Sequence, residues 1–303
     1  MTRGQLRGSF AWGCVCAASV ACACAGKSAS PSQADAGNQG GSAGTAVSSA
    51  GTAQTGGGGV GPASACEGAT PPAVTSSGRI DIPVQVIVGG TPLTLGVPGV
   101  GANGREFNVS LLLFFLTEPA FVDLNGHESK AQIIEPTGQP SAYGLQLVNA
   151  DEPATQLLRL TAPAGNYAAL HLGVGVPAAC NAISATNQVY PLNPDSEMIW
   201  TWGSQYMFVR VEGFSRPDAT AEWSPFAYHV GFDAAFASIT VPGDLIVPAA
   251  GAAGGASAAP PTLTLDLERM LATEAQMLPS TKHSVPDGWV VDNLESNQAF
   301  GFR

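Results

Sequence analysis

The sequence predicts an all-β protein, an antiparallel β-sandwich with one short C-terminal helix. Three observations point there. Apolar and polar residues alternate with a period of two in run after run, the pattern of half-buried strands. Those runs are short, rich in Val, Leu, Phe and Tyr, and punctuated by Asn and by many of the 37 Gly and 23 Pro in 303 residues. A helical period is nearly absent, which leaves sheet-on-sheet packing as the way to bury the apolar faces.

The first 26 residues read as a signal peptide of the lipoprotein type. Arg3 and Arg7 precede the run SFAWGCVCAASVACACAG, which ends in small residues. That run is too short and too rich in Ala, Gly and Cys to span a bilayer as a helix. Ser19-Val20-Ala21-Cys22 resembles a bacterial lipobox, so Cys22 or Cys24 is the expected lipid-bearing residue. The expected location is therefore the periplasm or cell surface, with attachment to the outer membrane. Residues 27–65 are mostly Gly, Ser, Ala, Thr and Gln with almost no large apolar side chain. They are expected to form a disordered tether, because so little burial cannot offset ordering entropy. A flexible coil of that length reaches roughly 35 Å on average.

The sandwich domain is expected over 66–278. In Arg79–Val88, Ile80, Ile82, Val84, Val86 and Val88 share one face, and Pro83 favours an edge position. Further strands are expected at Glu106–Leu116, Gly144–Val148, Leu157–Thr161, Tyr167–Val174, Met198–Trp202, Tyr206–Glu212, Pro225–Val230 and Ala237–Val241. Residues 247–261 form a low-complexity loop. Thr262–Leu278 is the expected helix, with Leu265, Leu267, Met270, Leu271 and Ala275 as its apolar stripe. The C-terminal extension, 279–303, shows no clear period.

Composition excludes some functions. Acidic residues outnumber basic ones 23 to 12 and the net charge is −11, so a nucleic-acid partner is not expected. No metalloprotease, phosphate-loop or nucleophile-elbow motif is present, so a binding protein is expected, not an enzyme. Of six cysteines, Cys66 and Cys180 alone lie outside the signal peptide. In an exported chain these two are expected to pair.

The scarce side chains gather in MIWTWGSQYMFVRVEG, residues 198–213, which holds two of the five tryptophans. Trp200 and Trp202 are two apart and share a face if extended. Tyr206, Phe208, Arg210 and Glu212 share a face in the next segment, where Arg210 and Glu212 read as a solvated charge pair. His229 alternates against Phe226, Tyr228 and Val230 and so points away from that apolar set. By spacing alone this is either an aromatic core or a metal site. Asp123–Glu128 has a faint calcium-loop spacing but reads as a hairpin turn. His171, in an apolar strand, is expected in the core, and His283, beside Lys282, is expected to be exposed.

A longer pattern narrows the choice. Gly175-Val176-Pro177, Asn181, Pro191-Leu192-Asn193-Pro194, Met198, Trp200-Thr201-Trp202, Tyr206, Glu212-Gly213 and Tyr228-His229-Val230-Gly231 occur in an order that resembles the MbnP-like family of exported copper-binding proteins. The likeness extends more loosely over about Arg79 to Leu271. It implies a β-sandwich that binds one copper ion through histidines and an oxidised tryptophan. It also implies a partner, a dihaem cytochrome peroxidase-like enzyme that converts the tryptophan to kynurenine. The chain departs from the family where ligands are expected: Pro83–Gly90 has no histidine, and neither does Pro194–Met198. His229 is the histidine that fits. The expected metal residues are thus His229, Trp200, Trp202, Met198 and Glu197. The alternative is a metal-free surface module for adhesion or assembly that kept the sandwich and lost the ligands.

Overall fold

The computed structural model describes residues 66, 78–200, 205–251, 260–272, 281–283, 289–296 and 299–303, with 281–283 given as backbone. The expected signal peptide, the tether, most of the low-complexity loop, Ala275 and Trp202 lie outside the described residues.

Strands follow one another as the alternation anticipates. β1 (Gly78–Val88), β2 (Thr91–Pro92), β3 (Gly99–Val100) and the long β4 (Glu106–Val122) open the domain. β5 (Glu128–Lys130), β6 (Gln132–Ile133), β7 (Leu145–Asn149), β8 (Leu157–Ala162) and β9 (Gly165–Val174) follow. After a long connection come β10 (Met207–Arg216), β11 (Ser224–Gly231) and β12 (Ala237–Val247). β13 (Leu263–Asp266), β14 (Thr281–His283) and β15 (Phe300–Phe302) complete the set. The smaller sheet runs β15-β13-β1-β8-β6 with β2 beside β1. The larger runs β12-β9-β4-β10-β11-β14, and β3, β5 and β7 also pair with β4. Pairings are antiparallel except β1 with β13 and β11 with β14.

The two sheets share one core. Ile80, Ile82, Val84 and Val86 of β1, with Leu158 and Leu160 of β8, pack in the same cluster as Phe114, Leu116, Leu172 and Val211 of the larger sheet. Each fully buried side chain of this size contributes roughly 1.5–3 kcal/mol. The Cys66–Cys180 disulfide, with both ends buried, pins the chain before β1 to the connection after β9.

Four expectations are corrected. Pro83 is not on an edge strand, since β1 lies between β8 and β13. The Val84 N–H donates to Gln156 on the β8 side, so the Pro83 nitrogen faces the other way, where pairing with β13 begins only at Val84. A proline is tolerated there because no ladder donor is needed. Of the strand expected at Met198–Trp202, the described part, Met198–Trp200, is not a strand: Ile199 forms one isolated bridge to Tyr206. The 3-10 turn at Pro194–Ser196 and left-handed Glu197 stop the pairing short. The helix expected over Thr262–Leu278 shortens to a single turn, Leu267–Met270, capped by Asp266, whose carboxylate accepts the Glu268 and Arg269 N–H groups. Leu263 and Leu265 instead pair with β1 and β15, because a short apolar run satisfies a strand as well as a helix. Finally, the segment without a visible period holds β14, a further helix, Trp289–Ser296, and β15 on β13.

Candidate functional site

The connection from β9 to β10 is held by the motif residues. Gly175, at φ +129°, packs so close to the Phe208 ring that an added Cβ would lie 2.5 Å from it. Buried Asn181 accepts the Tyr206 N–H at 2.9 Å and donates to Asp233 at 2.7 Å. The Tyr206 hydroxyl donates to the Leu192 carbonyl at 2.6 Å, and burial pushes its phenol well above the usual range. Asn181, Leu192 and Tyr206 therefore build the scaffold and leave the chemistry to their neighbours.

That chemistry sits on β10 and β11. Arg210 is the register partner of His229, and Glu212 lies one pleat further along β10. His229 Nε2 is 2.8 Å from Glu212 Oε1, and Arg210 Nε donates to the same oxygen at 2.9 Å. Arg210 is anchored at its other end, where Nη1 donates to the Glu197 carbonyl at 3.1 Å. Burial alone would raise the Glu212 carboxyl, but hydrogen bonds and charge from His229 and Arg210 hold it below its ordinary value. The sequence reading took Arg210 and Glu212 for a solvated pair; they are part-buried and joined to His229. Side-chain exposure is 12 % for His229, 21 % for Arg210 and 31 % for Glu212.

Two glycines fit this arrangement together. At Gly213 the β10–β4 register shifts, and an added Cβ would meet the Asn108 carbonyl at 2.4 Å. At Gly231 an added Cβ would meet the Tyr206 carbonyl at 2.4 Å and the Trp200 indole nitrogen at 3.1 Å. Buried Trp200 thus closes one wall, its ring 6.1 Å from the His229 ring and stacked on Phe232 at 5.6 Å.

The expected metal residues divide. Trp200 and His229 are brought together. Glu197 is 70 % exposed and its carboxylate lies 3.6 Å from Arg210. Met198 is fully buried, with its carbonyl accepting the Met207 N–H. Trp202 lies outside the described residues. One residue was missed: His283 on β14 is the register partner of His229 across the parallel β11–β14 pairing. Neighbouring strands lie about 4.8 Å apart. No sequence signal marks that pairing, which links residues 54 positions apart through a three-residue strand. Among the described residues no group of three His, Cys, Asp or Glu side chains could hold a metal ion.

Other polar clusters on the molecule are of a different kind. Asp123 accepts the Asn125 and His127 N–H groups in the β4–β5 hairpin turn. His171 is not a core residue; it is half-buried and links Glu128, at 3.1 Å from Nδ1, to Ser238, at 3.0 Å from Nε2. That is the connectivity of a hydrolytic triad. The Ser238 N–H, however, donates to Glu295 at 2.9 Å, which places a carboxylate where an oxyanion would need donors.

The MbnP family model matches residues 77–285. The chain belongs to the MbnP family. MbnP from Methylosinus trichosporium has a similar structure, with a TM-score of 0.50 at 14 % sequence identity over 72 % of this chain and 88 % of that one. At that identity the likeness is one of fold. No curated protein matches the chain. Within the MbnP domain, the Glu-Gly and His-x-Gly pairs now have a physical meaning. Each joins a polar site residue to a glycine that lets another part of the chain approach.

Proposed function

We propose that this MbnP-family protein binds copper outside the cytoplasm, with His229 and His283 as ligands beside the Trp200 wall. The observation that carries the reading is the register of His229 with His283 on adjacent strands. Imidazole suits copper, and two imidazoles fall short of the three or four protein ligands that zinc takes. An intact indole supplies a donor N–H and no lone pair for a metal. Conversion of Trp200 or Trp202 to kynurenine by a dihaem cytochrome peroxidase-like partner would supply an amine in its place. Glu197 and Met198, which stand where the family resemblance places a ligand, are replaced in this reading by His283. Glu197 is engaged by Arg210 and Met198 is packed in the core. The role is binding and handling of the ion, not catalysis.

The proposed location follows from chemistry at the other end of the chain. The joined Cys66–Cys180 pair supports an oxidising compartment. Cys22 or Cys24 is the proposed lipid attachment point, and residues 27–65 the tether that holds the domain clear of the membrane.

Copper titration of the exported chain, prepared with and without a cognate haem enzyme, tests the reading. His229→Ala should abolish binding, His283→Ala should weaken it at least tenfold, and His127→Ala should leave it unchanged. Intact mass of the same samples reports tryptophan oxidation. Failure of both preparations to bind more copper than His229→Ala would favour the metal-free surface module.

A further inference from the structure

We propose that a cavity at the β6 edge of the smaller sheet binds a free α-amino acid with an apolar side chain. The cavity measures about 220 Å³ and shares no residue with the cluster on β10 and β11. Ile133, Leu145, Leu147 and Pro191 give it buried apolar walls, and Ala154 and Tyr190 form an exposed rim. Two opposite charges line it without meeting each other. Arg159 on β8 donates through Nη1 to the Leu157 carbonyl at 3.3 Å and, among the described residues, has no carboxylate partner. Its register partner on β1, Asp81, is taken by Arg79 at 2.8 Å. Arg210 and Arg216, also part-buried, each hold a carboxylate. Glu135, just past β6, lines the cavity with no partner for its carboxylate among the described residues. Gln146 of β7 gives its amide nitrogen to the Thr155 carbonyl at 2.6 Å and the Leu157 carbonyl at 3.4 Å. Its Oε1 is left as a second acceptor in the lining.

Those groups select a zwitterion. A guanidinium fork matches a carboxylate, and a carboxylate with an amide carbonyl matches an ammonium, which only donates. A ligand carrying one charge would satisfy one wall and face repulsion from the other. Size sets the rest of the molecule. An apolar cavity of about 150 Å³ takes a benzene ring, so this one holds a side chain of that order and its charged head. Drug-sized ligands need about 300 Å³ or more. A peptide terminus carries one of the two charges, which leaves the free amino acid as the occupant.

Calorimetric titration of the exported chain with L-phenylalanine tests the site. The comparison compounds are 3-phenylpropionate, which lacks the amine, and phenethylamine, which lacks the carboxylate. Each should bind roughly tenfold more weakly than the amino acid, for want of one charge-assisted contact. Arg159→Gln should weaken L-phenylalanine roughly tenfold and strengthen phenethylamine. Glu135→Gln should weaken L-phenylalanine about fivefold and strengthen 3-phenylpropionate. Ala154→Trp, at the exposed rim, should exclude all three compounds while the urea midpoint stays unchanged. Absence of L-phenylalanine binding in the wild type overturns the proposal. Equal affinity for all three compounds also overturns it, since Arg159 and Glu135 would then play no part. Tighter binding of 3-phenylpropionate than of L-phenylalanine would overturn the amino-acid assignment in favour of a simple acid.

Discussion

Two histidine–carboxylate pairs on the strands of the larger sheet, among the described residues, differ more in their surroundings than in their geometry. His229 meets Glu212 at 2.8 Å and His171 meets Glu128 at 3.1 Å. Exposure separates them: 12 % and 31 % in the first pair, 29 % and 53 % in the second. The first pair adds a cation, Arg210, an aromatic wall, Trp200, and a histidine on the neighbouring strand. The second adds Ser238 and the Glu295 carboxylate. A histidine–carboxylate contact is thus not a site by itself. Partial burial, a counter-charge that fixes the carboxylate and a second histidine in register distinguish the first pair from the second.

The comparison breaks most readily at the wall. Gly231→Ala forces a Cβ against the Tyr206 backbone carbonyl, which cannot swing aside. Loss of about 3 kcal/mol in urea unfolding is expected, with the Trp200 emission altered. At the other pair, Gly173→Ala meets the edge of the Phe236 ring and the Thr117 methyl, which are side-chain atoms and not backbone. A cost of about 1–2 kcal/mol is expected there. Equal costs would show that the Trp200 wall is no more tightly built than the opposite face.

The carboxylates sharpen the contrast at smaller cost. Glu212→Ala leaves Arg210 and His229 part-buried without their acceptor and should cost about 2 kcal/mol. Glu128→Ala removes an exposed partner and should stay within about 0.5 kcal/mol. The pH dependence follows from the same contact. Glu212 is held below its ordinary value, so its contribution is fully present above 4.5 and is lost as pH falls through the depressed value. Urea midpoints of wild type and Glu212→Gln should therefore converge as pH falls from 4.5. A constant gap down to pH 3 would show that the carboxylate is not stabilised by its partners.

These contrasts also mark how far the sequence could be read. The sandwich was legible because the buried face alternates from Ile80 to Val86, and the disulfide because Cys66 and Cys180 had no rival outside the first 26 residues. Trp200 and His229 were legible through the motif order. The contact between Glu212 and His229 was not, because a cross-strand register depends on where β10 and β11 bulge. Met207 and Val209 flank such a shift, and alternation within one strand cannot reveal its partner's. His283 was invisible for the same reason in stronger form, as β14 is three residues long and pairs in parallel with a distant strand. The mistaken helix at Thr262–Leu278 has another cause: Leu265, Leu267, Met270 and Leu271 are buried, and the same spacing serves β13 followed by one helical turn.

The smallest expected effect concerns the second pair. Ser238 donates towards His171 and is exposed, so connectivity alone would make it a nucleophile. Acylation or phosphonylation of Ser238 would build negative charge beside Glu295, whose carboxylate already takes the Ser238 N–H. That charge raises the barrier instead of lowering it. A fluorophosphonate probe should therefore label Ser238 no faster than exposed Ser110, and Ser238→Ala should change stability by less than about 0.5 kcal/mol. Rapid labelling of wild-type Ser238 would break the comparison, since the His171 cluster would then be a reactive site in its own right. Labelling that emerges only in Glu295→Gln would sharpen it, by showing that one misplaced carboxylate keeps an otherwise triad-like cluster silent.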